Sequence, residues 1–139
     1  METPTIHTSV AEIQYPALLD RIQSTFIDTI SIIIMMFTFS SVLESIPNVS
    51  DWVRIFLFIA VWVLYDPLCT TLGCTIGNYV KGIRVRRRDN HNIRLHFFQA
   101  FVRYVLKISL GWLSFLTMHS NEERRALHDI IVGSVVVKA

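Results

Sequence analysis

Two apolar stretches, Ile22–Leu43 and Val53–Leu72, limit what this chain can fold into. A hydrocarbon layer about 30 Å thick is crossed by roughly 20 mostly apolar helical residues. The first stretch reaches that length, and the second does so if Asp66 is tolerated. At 139 residues the chain is one domain at most, and 52% of it is hydrophobic. A soluble bundle of very greasy helices is the weaker alternative. The expectation is an all-α membrane protein whose single domain covers residues 1–139. Residues 1–16 read as a polar N-terminal tail, 17–118 as the membrane region and 119–139 as a C-terminal motif. The first twenty residues carry Glu2, Glu12 and Asp20 and no Lys or Arg. A secretory leader begins basic, so the first apolar run is expected to stay in the mature protein.

The pattern along the chain refines this outline. Tyr15-Pro16 leads into helix one, with Pro16 at or near its first position. Glu44–Asp51 is a short polar loop containing Pro47 and Asn48, and a second helix starts near Asp51. So short a connection makes the two helices an antiparallel hairpin. The segment 73–96 is glycine-punctuated and basic. Ile83 and Val85 alternate with arginines, Asp89–Asn92 supplies turn chemistry, and Ile93 and Leu95 alternate again. That predicts a small β-hairpin outside the membrane.

The third apolar segment, Phe97–Met118, carries Gln99, Arg103 and Lys107 four residues apart, and Ser114 continues the row. A polar stripe of this period marks an amphipathic helix. Beyond Lys107 only about eleven residues remain, too few to span. An interfacial or re-entrant element is favoured over a third, tilted span. Ser120-Asn-Glu-Glu123 fits a capping box opening a helix Glu122–Ile131, which Gly133 would end. Ser134–Lys138 reads as a terminal strand able to pair with Ile83–Arg87.

Charge orients the chain. Lys81, Arg84, Arg86, Arg87, Arg88 and Arg94 stand against one acid, Asp89, whereas the loop at 44–51 holds Glu44 and Asp51. By the positive-inside rule the basic loop and the N-terminus are cytoplasmic. The run Arg84–Arg88 lacks the aromatic residues that stack on bases, so its expected partners are anionic headgroups of the bilayer and not nucleic acid.

Within helix one, Arg21 and Asp28 lie seven residues apart, about 10 Å along the axis on one face. Ser24 and Thr25 stand between them, and Ser31, Met35 and Thr38 continue the stripe, which must face a bundle interior, a partner or water. Asp28 has two readings: a packing carboxylate hydrogen-bonded to another segment, or a proton- or cation-exchanging group. Asp66, before Pro67 in helix two, either pairs with Arg21 or marks the helix end among headgroups. Asp129, after His128, reaches Arg21 if the C-terminus returns to the cytoplasmic side, and is otherwise a solvated carboxylate. One guanidinium has donors enough for two carboxylates.

Cys69 and Cys74 are too few for a disulfide framework, and His7, His91, His96, His119 and His128 are scattered. No metal cluster, phosphate-binding glycine loop or nucleophile–base arrangement is visible. Neither a cofactor nor enzymatic activity is expected.

The trio Arg21, Asp28 and Asp129 resembles the RDD family of membrane proteins, named for one arginine and two aspartates. Arg21 and Asp28 in DRIQSTFID look like its arginine at the start of the first membrane helix and its aspartate inside that helix. Gly73–Val85 resembles the family's glycine-rich stretch, Phe101-Val-Arg103-Tyr its basic helix start, and Arg124–Val136 its closing motif, with Asp129 as the second aspartate. The likeness runs from about Tyr15 to Val137. Asn78 departs from an expected basic residue, and Ser134 from a common threonine. Tyr65-Asp-Pro67 with Leu110-Gly-Trp112-Leu-Ser points to a bacterial branch. The resemblance implies a recurring framework for Arg21, Asp28 and Asp129, and it names no single function. Two readings follow. The first is a membrane-embedded interaction or accessory subunit of a larger complex. The second is a cation, proton or small-ligand carrier working as a homo-oligomer, with Asp28 as the exchanging carboxylate.

Overall fold

A computed structural model describes residues 13–139 except Trp112; most of the expected polar tail therefore lies outside the described residues. The chain is mostly helical. Helix α1 (Leu18–Glu44) and helix α2 (Asp51–Leu72) are each long and apolar enough to cross a membrane. They run antiparallel: Tyr65 near the end of α2 meets Asp28 near the start of α1. Asn48, at φ +65°, turns the chain between them. Pro67 sits inside α2 without ending it. Most of the apolar surface of both helices is bare, with 11% of the apolar window of α1 and 22% of that of α2 buried.

The polar stripe on α1 divides in two. Arg21, Ser24 and Asp28 are buried against other elements, but Thr38 is exposed. Thr25, Thr29, Ser31 and Thr38 each donate to the carbonyl four residues earlier, at 2.9 to 3.0 Å. A hydroxyl satisfied by its own helix needs no partner, so the upper stripe is not forced toward a bundle interior.

The glycine-rich stretch forms a short helix, α3 (Ile76–Val80), packed on α1. The approach is closest at Gly77. A Cβ placed there would stand 2.0 Å from the carbonyl oxygen of Ser24 and 2.9 Å from Cγ of Asp28. Only glycine fits.

Strand β1 (Ile83–Arg87) pairs antiparallel with strand β2 (Ser134–Lys138), Val85 facing Val136. The expected pairing with the terminal strand is present. The expected local hairpin is not: Asp89–Leu95 forms turns, with Arg87 N–H donating to the Ile93 carbonyl at 3.2 Å, and the chain passes into the next helix. A single short strand gains more from the distant β2, because that pairing buries Ile83, Val85 and Val136 with Leu95 and Ala100 in one small core.

The third apolar segment is broken. Helix α4 (Phe97–Leu110) is followed by α5 (Leu113–Leu116) and a 3₁₀ turn at Thr117–His119, with a bend of 102° between the two parts. Gly111 stands at the bend with φ +49° and ψ −128°, a region essentially closed to side-chain-bearing residues. The polar stripe faces inward: Arg103 and Ser114 are buried and Lys107 is largely covered.

Helix α6 (Leu127–Val132) is shorter than the expected Glu122–Ile131. Arg124, at φ +47°, interrupts helical geometry. Arg125 is buried and turned toward the residues that follow it, donating to the carbonyls of Ser134 and Asp129 at 2.9 and 3.1 Å. Gly133 ends the helix in a left-handed conformation, as expected.

Candidate functional site

Five charged side chains from four elements form one connected chain beneath the hairpin. Arg21 of α1 donates through Nη2 to Oδ2 of Asp129 on α6. Its other terminal nitrogen donates to the Arg124 carbonyl at 3.2 Å and to the sulfur of Met118 at 3.7 Å. Arg103 of α4 donates through Nε to Oδ1 of Asp129 at 2.7 Å, and its Nη1 lies 3.8 Å from Oδ1 of Asp66 on α2. Lys107, one turn further along α4, donates to Oδ2 of Asp66 at 3.2 Å. The order is Arg21, Asp129, Arg103, Asp66, Lys107.

The sign alternates along that order for a physical reason. Buried charges are tolerated where opposite charges and hydrogen bonds replace the lost water. Asp129 is fully buried and also accepts from Ser134 Oγ at 3.2 Å. Burial acts to raise its pKa, but Arg21 and Arg103 prevail and hold the carboxyl well below the usual range. Asp66 is completed by Thr70 Oγ1 at 3.2 Å.

His128, next to Asp129, is fully buried. Its Nδ1 is hydrogen-bonded to Ser114 Oγ, and Ser114 Oγ accepts the His128 backbone N–H at 3.2 Å. Its Nε2 has no hydrogen bond and lies 3.5 Å from Oδ1 of Asp129. Burial pushes the imidazole down to about 3; Asp129 opposes this, and the nearby cations add to it. The ring is neutral near physiological pH.

Asp28 belongs to a separate cluster. It accepts from Tyr65 OH at 3.0 Å, Thr75 Oγ1 at 2.6 Å and Gly77 N–H at 2.7 Å. The Ile76 N–H donates to Tyr65 OH, and the Asn78 N–H to Thr75 Oγ1. The first N–H groups of α3, which no intrahelical carbonyl can satisfy, thus all end on this cluster. Asn78, the departure noted in the sequence, accepts from Ser24 Oγ at 2.6 Å and ties α3 to α1 a second time.

The structure therefore unites Arg21 with Asp129 and keeps Asp28 apart. The anticipated Arg21–Asp66 pair is not made; Asp66 is held by Arg103 and Lys107. The guanidinium that serves two carboxylates is that of Arg103. Arg103 and Lys107, which the sequence shows as part of a polar stripe, belong to the site. The signal is that two cations on an apolar helix must each find a counter-charge, and Arg21 alone cannot match the acids Asp28, Asp66 and Asp129.

The basic residues lie at the sheet end. Lys81 is 4.0 Å from Asp20, and Arg88 is 3.3 Å from Glu123. Arg84, Arg86 and Arg87 make no ion pair among the described residues. Partial burial, with repulsion from Arg84 and Arg94, lowers the pKa of Arg86.

A family model, described as the RDD family, matches residues 15–133. Curated proteins and solved structures yielded no match. The match covers most of the chain, takes in Arg21, Asp28, Asp66, Arg103 and Asp129, and agrees with the apolar helices of a membrane protein. The chain belongs to the RDD family.

Proposed function

We propose that this protein is a multi-pass, non-catalytic accessory subunit of the cytoplasmic membrane that docks on another membrane protein, with its N-terminus, basic loop and C-terminal motif all cytoplasmic. The observation that carries the proposal is the saturation of Asp28. A carrier needs a carboxylate that can release and rebind its cargo, whereas Asp28 has both oxygens committed to Tyr65, Thr75 and Gly77. Asp129 and Asp66 are likewise engaged by cations. The charges hold helices together, and the bare apolar sides of α1 and α2 remain for lipid and for a partner.

The orientation has its own support. The start of α1 and the C-terminal motif meet through Arg21 and Asp129. The bend of 102° between α4 and the part that follows it supports reading the third segment as a re-entrant element that enters and leaves on the side of the basic residues.

The test is crosslinking in native membranes from photoreactive residues at Phe37 and Phe56, both more than 70% exposed, followed by mass spectrometry. One stoichiometric foreign chain is expected. Recovery of this chain alone, as a defined oligomer, would favour the carrier reading. In that case reconstituted protein should carry protons or cations, and Asp28→Asn should abolish flux; unchanged flux in that variant would remove Asp28 as the exchanging group.

A further inference from the structure

We propose that the cleft between α1, α2, α4 and α5 binds one anionic amphiphile, an acyl-chain molecule whose head is held by Lys107. The cleft has a volume of about 320 Å³, within the range of roughly 300–1,000 Å³ usual for small-molecule sites. One part of its wall is apolar, built from Ile32, Trp62, Ile108 and Phe115; the other carries Asp28, Asp66, Tyr65, Tyr104 and Lys107. Trp62 and Ile108 are more than half exposed, so the mouth opens on the bare apolar side of the helices, where acyl chains lie.

The head group follows from which polar atoms still have hydrogen-bonding capacity. Asp28 has three donors and Asp66 has Thr70, Lys107 and Arg103. Tyr65 OH donates to Asp28 and accepts from Ile76, and Tyr104 OH donates to the Trp62 carbonyl at 2.7 Å. Thr25 and Thr29 donate to their own helix. Lys107 differs. An ammonium has three donors, and among the described residues Asp66 is its one side-chain partner.

Charge points the same way. The connected chain holds three cations and two carboxylates, one positive charge in excess. Its Arg21 end is closed by the Arg124 carbonyl, the Met118 sulfur and the face of Phe115 at 5.9 Å. Its Lys107 end faces the cleft. Asp28 places a negative charge on the same wall, but its oxygens are turned to their own donors, which leaves the donor capacity at Lys107 for an anionic oxygen. A free fatty acid and an anionic phospholipid share this chemistry.

The experiment is native mass spectrometry on the full chain in neutral detergent, titrated with oleate, phosphatidylglycerol, monoolein and phosphatidylcholine. A single adduct with oleate or phosphatidylglycerol is expected, and the one retained names the source. Lys107→Gln should weaken it by roughly tenfold or more, as loss of a charge-assisted hydrogen bond implies. Ile32→Trp fills the cleft from its apolar wall and leaves every charged group in place, so it keeps the test decisive if Lys107→Gln does not fold. With an unchanged circular-dichroism melt, that variant should lose the adduct. Equal retention of the neutral amphiphiles, or an adduct that persists in folded Ile32→Trp, would overturn the assignment.

Discussion

Asp129 receives two guanidiniums, and that sharing decides how its neighbours respond to mutation. Asp129→Asn should destabilise the detergent-solubilised protein by about 3–5 kcal/mol, because two buried cations lose their counter-charge. A double-mutant cycle of Arg21→Gln with Asp129→Asn should show coupling of roughly 1–3 kcal/mol in thermal or denaturant unfolding. Reversing both charges should not rescue, since Arg103 would then face a new arginine at position 129. Additive single losses would refute the contact. Gly77 gives a steric counterpart. A methyl group there meets the Ser24 backbone at 2.0 Å, where no side chain can yield. Gly77→Ala should cost about 3 kcal/mol or more, and a melt within a degree or two of wild type would show that α3 can move off α1. Arg21, Asp28 and Asp129 could be singled out from the sequence because each charge stands beside apolar residues. The partners Arg103, Lys107, Thr75 and Gly77 could not be assigned, because spacing within one helix says nothing about which other helix lies opposite.

At the scale of elements, the third segment departs most from a simple span. Its polar stripe and shortage of apolar length were legible from Gln99, Arg103 and Lys107. The bend itself depends on Gly111 in a conformation that costs other residues about 1–3 kcal/mol. Gly111→Ala should destabilise by about that amount. Single cysteines at Arg94 and Asn121, which flank the segment, should be labelled from the same side of the membrane in intact cells; labelling from opposite sides would establish a full crossing. Two elements differ from the local sequence pattern. The strand after Asp89 and the helix from Glu122 were inferred from local turn and cap signals. Both gave way to other partners: the distant β2 took the ladder of β1, and the carbonyls of Asp129 and Ser134, a few residues further on, took Arg125.

Over the whole molecule, the buried charges make stability depend on acid. His128 has its pKa lowered on folding, from near 6.5 to about 3. A depressed pKa contributes stability that is full above the unfolded value and lost as pH falls through the folded one. The same sign holds for Asp129, whose contribution is complete above about pH 4 and lost below it. The melting temperature should therefore be nearly flat above pH 7 and fall between about pH 6.5 and 3, with a slope of at most about 1.4 kcal/mol per pH unit for each group. His128→Asn, which keeps an acceptor for Ser114, should flatten the part between about pH 6.5 and 4. An unaltered profile would show that His128 binds its proton equally well in the folded and unfolded chain.

The sequence by itself determined that this is a membrane protein with two long apolar helices, an amphipathic third segment and a basic region before it. Hydrophobic length, helical period and charge asymmetry are local properties, and the bilayer acts on each segment separately. The tertiary structure alone decided which charges meet. Pairing depends on the rotation and depth of α2, α4 and α6 relative to α1, and those are set by the close approach at Gly77, the turn at Gly111 and the ladder between β1 and β2.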